Sequence, residues 1–184
     1  RTALVAPHAP ECLHGIRALD HPFHEPLHER RVVASRAFLP VRRPSGFTAL
    51  GQLLEAEDPN VRGYAAYALR HLPAIPVAVQ ERLATAFGRE PDDSPARAQT
   101  VAAAAVHAQP GDQTPLAALR TIAASAGDAD RYEAVHALAA VAGGDDLPLL
   151  RRLMEQDASA DVQATAAYAI LRIDRRVDRH LAAL

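Results

Sequence analysis

Glu133 and His136 stand three residues apart in a stretch with helical periodicity. That spacing places a carboxylate and an imidazole on one face of a helix, close enough to act as an acid–base pair. They are the candidate catalytic residues. No serine or cysteine falls in register with them, so nothing completes a nucleophilic triad. The competing reading is that His136 fills a surface column and hydrogen-bonds nearby. A second concentration of titratable groups lies at the start, where His8, His14, His21, His24 and His28 all precede residue 29. Imidazoles interleaved with Glu25 and Glu29 suit zinc, nickel or iron, which makes His21, His24 and His28 candidate metal ligands. Pro22 and Pro26 break the helix on which His24 and His28 would converge, and a polar loop capping a helical array is the competing reading. No metal and no cofactor is assigned on this basis.

The elements that must position these groups are announced by composition. Of 184 residues, 41 are alanine, all 20 basic residues are arginine, tryptophan is absent and aromatics make up 4%. Alanine is the strongest helix former, and β-sandwiches and barrels need the β-branched and aromatic residues that are scarce here. The fold class is therefore all-α. A charged fraction of 23% and a net charge of −2 argue against disorder and against a general nucleic-acid binder. The balance is uneven: residues 1–45 carry seven arginines against four acids (+3), and residues 46–184 carry thirteen against eighteen (−5). A single cysteine, Cys12, excludes an internal disulfide, and no apolar run reaches the length of a membrane span. A cytoplasmic location is expected. The chain opens on Arg1, which leaves an upstream segment, a removed signal peptide included, as an open question.

Self-similarity is the strongest signal. Val61-Arg62-Gly63-Tyr64-Ala65-Ala66-Tyr67-Ala68-Leu69 lies above Val162-Gln163-Ala164-Thr165-Ala166-Ala167-Tyr168-Ala169-Ile170, with the tyrosine and the alanines in phase. Asp130-Arg131-Tyr132-Glu133-Ala134-Val135-His136-Ala137-Leu138 is a third copy. Weaker ones start at Ala96 and Arg30. The anchor positions 31, 62, 97, 131 and 163 are separated by 31, 35, 34 and 32 residues. Each unit also has a first helix with leucines at helical spacing, such as Leu50, Leu53 and Leu54. Breakers such as Glu57-Asp58-Pro59-Asn60 and Gly143-Gly144-Asp145-Asp146 separate the helices.

A leucine-rich helix, then Asp-Pro-Asn-Val-Arg, then Ala-Ala-Tyr-Ala-Leu resembles a HEAT repeat, and more narrowly the short alanine-rich HEAT-like repeats shared with phycobilin lyases. The resemblance implies a right-handed α-solenoid of about five helical hairpins, an α-α superhelix forming one domain. Residues 1–45 would be a degenerate amino-terminal capping repeat, 46–173 four clearer repeats and 174–184 a carboxy-terminal capping helix. It also implies a structural ladder of turn acids and second-helix arginines: Asp58 with Arg62, Asp93 with Arg97, Asp128 with Arg131. Gln163 departs from that pattern.

Helical spacing turns Ala65, Ala66 and Leu69 to the core and leaves two columns on the other stripe. One reads Val33, Tyr64, Gln99, Glu133, Thr165; the other Arg36, Tyr67, Ala102, His136, Tyr168. The resemblance implies that second helices line a concave groove, extended by His71 and Arg172. The candidate binding residues are Arg36, Tyr64, Tyr67, His71, Gln99, Glu133, His136, Thr165, Tyr168 and Arg172. Two enzymatic relatives of the fold fit poorly. The deoxyhypusine hydroxylase family holds iron with a His-Glu pair where this chain has Tyr132-Glu133, Gly63-Tyr64 and Ala164-Thr165. The alkylpurine DNA glycosylases use tryptophans and a basic face. The expected function is a non-catalytic protein-binding scaffold whose groove takes a protein or peptide partner. The alternative is a small-molecule binding or lyase-like tailoring enzyme with Glu133 and His136 as acid and base.

Overall fold

The computed structural model describes residues 44–181. The expected first unit, with Arg36, His21, His24 and His28, lies outside the described residues. Among those described the chain is all helical, with no strand: α1 (Pro44–Leu53), α2 (Pro59–Arg70), α3 (Val77–Arg89), α4 (Arg97–Val106), α5 (Thr114–Ser125), α6 (Asp128–Val141), a 3₁₀ turn (Gly144–Asp146), α7 (Leu147–Gln156) and α8 (Ala160–Leu181). No helix among them is long and apolar enough to cross a membrane.

Local chemistry starts these helices. Asp58 caps α2 by accepting from the Asn60 amide at 2.8 Å, with Pro59 at the first helical position, where its missing N–H costs nothing. Asp112 accepts from the Thr114 amide at 3.0 Å ahead of α5, and Asp157 from the Ser159 amide at 2.9 Å ahead of α8. Gly111, at φ 93°, turns the chain between α4 and α5 in a conformation open to glycine. α8 runs unbroken from Ala160 to Leu181, so residues 174–181 lie on the same helix as Tyr168. They continue α8, because no glycine or proline interrupts Ile170–Leu181.

Consecutive helices pack in pairs: α1 with α2, α3 with α4, α5 with α6, and α7 with α8. The second helices of successive pairs, α2, α4, α6 and α8, also pack side by side. α4 sits in the middle of that layer, and every residue from Ala98 to Ala105 is buried. A helix buried on all sides must carry side chains that fit on all sides, and five of those eight are alanine. Val101, Ala102 and Ala105 join the core that runs through α5 to α8; Ala103 and Ala104 join the core of α1 to α3. The leucines of the first helices fill the space between layers, with Leu54, Leu119 and Leu150 fully buried. Each such side chain contributes about 1.5–3 kcal/mol of transfer free energy.

Three of the arginines, Arg62, Arg97 and Arg131, bind the turns. Arg62 donates through Nη1 to the carbonyls of Ala56 and Glu57, and forms a two-pronged pair with Glu90 of the next unit at 2.8 and 2.7 Å. Arg131 repeats the arrangement, donating to the Ala126 carbonyl and gripping both Asp157 oxygens at 2.9 Å. Arg97 donates to the carbonyls of Phe87 and Glu90. Gln163 keeps the carbonyl half of the device, through Nε2 to the Asp157 carbonyl at 2.7 Å. A guanidinium has donors enough for a helix end and a carboxylate together, whereas an ammonium lacks the planar fork. The acids of the ladder are partly redistributed relative to the sequence expectation. Asp128 does pair with Arg131, at 2.7 Å, but Arg97 pairs with Asp92 rather than Asp93, and Arg62 reaches forward to Glu90 while Asp58 serves as a helix cap.

Candidate functional site

The second-helix layer brings together side chains from α2 and α6, although α4 lies between those helices. Arg70, at the end of α2, crosses to α6 and donates through Nη2 to Glu133 Oε2 at 2.8 Å. Both side chains are buried, at 4% and 9% exposure. The intervening helix α4 carries small side chains, among them the buried Ala102, Ala103 and Ala105. The Arg70 guanidinium lies 5.0 Å from the Tyr67 ring centroid, a cation–π contact. The same Nη2 stands 3.3 Å from His71 Nε2. A guanidinium only donates, so Nε2 of His71 accepts and its ring proton sits on Nδ1.

Four rings gather beside this ion pair. Tyr67 meets His71 edge to face at 4.6 Å between centroids. His71 lies 6.1 Å from His136 across the two helices, and His136 stacks with Tyr132 at 6.2 Å. Burial, followed by the charge of Glu133, raises the Tyr132 phenol above its usual range, so it stays protonated at neutral pH. Behind the cluster, His107 at the end of α4 is set against the Leu69 carbonyl of α2 at 2.8 Å. The carbonyl can only accept, so Nε2 carries the proton. Burial holds the His107 pKa below its ordinary value.

The columns read from sequence are therefore partly reassigned. Tyr64, Tyr67 and His136 are half-buried and His71 is exposed, as a surface stripe requires. Glu133 and Gln99 are buried instead. The expectation of Glu133 as an acid on the exposed stripe is corrected, because its carboxylate is held by a buried guanidinium. Gln99 Oε1 and Arg70 Nε are buried without a hydrogen-bond partner among the described residues. Thr165 turns its hydroxyl back to the Asp161 carbonyl at 2.7 Å. Tyr168 is 51% exposed on α8, with Arg172 donating to its hydroxyl at 3.3 Å.

Arg70 and Tyr132 escaped the sequence reading. Arg70 falls one residue outside the aligned motif, and its partner is 63 residues away. Its one legible signal is an arginine three residues after a column tyrosine. Among the described residues no group of three or more His, Cys, Asp or Glu is arranged to hold a metal ion. A cleft of about 310 Å³ lies at the turns, lined by residues including Arg131, Arg152, Gln156 and Asp157, and does not include the ring cluster.

No family model and no curated protein matches the chain. The chemistry on this face consists of a buried ion pair, two imidazoles and phenols. It offers apolar area with polar tips and hydrogen-bond capacity.

Proposed function

We propose that the chain is a non-catalytic binding module: a right-handed solenoid of HEAT-like hairpins whose second-helix face captures a segment of a partner protein. The single observation that carries this reading is the convergence of Tyr67, His71, Tyr132 and His136, continued on α8 by exposed Tyr168 and Arg172. The side-by-side packing of α2, α4, α6 and α8 supports the solenoid arrangement, since each unit touches chiefly its neighbours. Aromatic side chains set on a rigid helical layer present large contact area at low entropic cost. The lyase-like alternative needs the Glu133 carboxylate open to a ligand, and that carboxylate is buried and engaged by the Arg70 guanidinium at 2.8 Å.

The test is capture from source-cell extract by tagged wild-type protein, Tyr67→Ala and Tyr168→Ala, compared by quantitative mass spectrometry. Tyr168→Ala should melt with the wild type and lose the partners that the wild type retains. An unchanged capture profile in both variants overturns the reading.

A further inference from the structure

The polar ties between helices divide the chain at α4. In the first half, α1 to α4, Arg62 pairs with Glu90, Arg82 pairs with Glu55 at 2.6 Å, and Arg89 donates to the Leu54 carbonyl at 2.9 Å. In the second, α5 to α8, Arg120 pairs with Asp146 at 2.6 Å, Arg131 pairs with Asp157, and Arg176 donates to the carbonyls of Ala140 and Ala142. Each of these contacts closes within its own half. Arg97, in the register position of Arg62 and Arg131, pairs with Asp92 of its own turn and clamps nothing beyond it. Among the described residues, Arg70–Glu133 is the one ion pair that joins the halves, with the rings of His71 and His136 in contact beside it at 6.1 Å. The apolar core divides at the same helix. Ala103 and Ala104 of α4 belong with α1 to α3, and Val101, Ala102 and Ala105 with α5 to α8.

We propose that the chain is built as two four-helix halves hinged at α4 and its connection to α5, with the Arg70–Glu133 pair as the latch that holds them closed. This goes beyond the binding-module reading and does not depend on it. Three features select this place. The face that α4 turns to the second half is Val101, Ala102 and Ala105, and small side chains have little relief to interlock, which suits sliding shifts between packed helices. The connection, residues 107–113, is short and irregular and carries Pro110 and Gly111 at φ 93°, a segment able to absorb the dihedral changes of a hinge. The closed latch is also incompletely satisfied. Arg70 Nε and Gln99 Oε1 are buried there without a hydrogen-bond partner among the described residues, and opening gives both atoms, and both charges, to water. Tyr67 and His71 belong to the first half, Tyr132 and His136 to the second, so the latch sets the spacing of the ring cluster.

The decisive experiment measures distances between nitroxide pairs by double electron–electron resonance, in the full chain carrying Cys12→Ser. One pair, at the exposed positions Gln52 on α1 and Arg151 on α7, spans the hinge; the other, at the exposed positions Ala117 on α5 and Glu155 on α7, lies within the second half. Glu133→Gln keeps the shape of the side chain and removes the charge. In that variant the Gln52–Arg151 distribution should broaden and move from its position in the unsubstituted protein, while the Ala117–Glu155 distribution stays where it was. Circular dichroism melts check that the variant is folded. A second measurement needs no substitution in the latch. In a urea series below the unfolding transition, the Gln52–Arg151 distribution should broaden before the Ala117–Glu155 distribution changes and before helical signal is lost. If Glu133→Gln does not fold, this series decides alone. An unchanged Gln52–Arg151 distribution in folded Glu133→Gln, or the two pairs changing together in urea, overturns the proposal.

Discussion

At the scale of single residues, the Arg70–Glu133 pair makes the sharpest demands. Removing one member leaves the other charged, buried and uncompensated, which costs about 3–5 kcal/mol. Glu133→Gln and Arg70→Ala should each lower the unfolding free energy extrapolated from urea titration by about that amount. A simultaneous Arg70→Met/Glu133→Leu replacement should recover most of the loss, because the pair's desolvation penalty disappears with its attraction. Titration offers a second residue-scale test. His107 is held below its usual value near 6.5 by burial, so the unfolded chain takes up this proton first as pH falls. Its contribution is complete above that value and declines as the solution is acidified through it. Glu90 and Asp157 are held below the usual carboxylate range, chiefly by hydrogen bonds from Arg62 and Arg131. Their contributions persist to lower pH, begin to fall as acidification passes the ordinary carboxylate values and are gone below the native ones. Urea midpoints recorded from pH 7.5 to 3 should therefore fall in two stages, and His107→Asn should flatten the first.

At the scale of helices, close approach decides what each element tolerates. α2 passes the start of α4 at Gly63, where a Cβ would stand 3.4 Å from Ala96 Cα and 3.6 Å from its Cβ. That distance is ordinary contact. Gly63→Ala should accordingly be tolerated and should stabilise the protein by about 0.4–1 kcal/mol through the unfolded chain. Gly63→Leu should overpack the site and cost about 1–3 kcal/mol. Ala102, fully buried on α4, is a stricter case. Ala102→Leu would force apart the layer across which Arg70 reaches Glu133, with a similar cost measured by denaturant titration.

At the scale of the whole molecule, the arginine clamps tie each turn to its neighbours. Arg62 joins the α1–α2 turn to Glu90, and Arg131 joins the α5–α6 turn to Asp157. The two clamps share no partner, so the stability losses in Arg62→Ala and Arg131→Ala should add in the double variant to within about 0.5 kcal/mol. A larger discrepancy would mean that the clamps communicate through the helix layer.

Much of this architecture was legible in the linear chain, and the reason is local. Helix starts are written in Asp58-Pro59 and Asp112, and core faces in the recurrence of Ala65, Ala66 and Leu69, because capping and 3.6-residue periodicity involve neighbours a few residues apart. The same spacing put Tyr67 and His136 on a surface stripe, and both are half-buried. It placed Glu133 there too, and the fold buried it. Whether a residue two columns from another is reached by it depends on how closely three helices pack, and no pattern within one helix encodes that. The clamps to Glu90 and Asp157 and the ion pair across α4 are likewise long-range pairings, decided when alanine lets helix backbones approach within reach of an arginine. Sequence alone determined the helices, their breaks and their apolar faces; tertiary packing decided which charges are spent inside the molecule, as Arg70 and Glu133 are, and which, like Arg172, stay exposed.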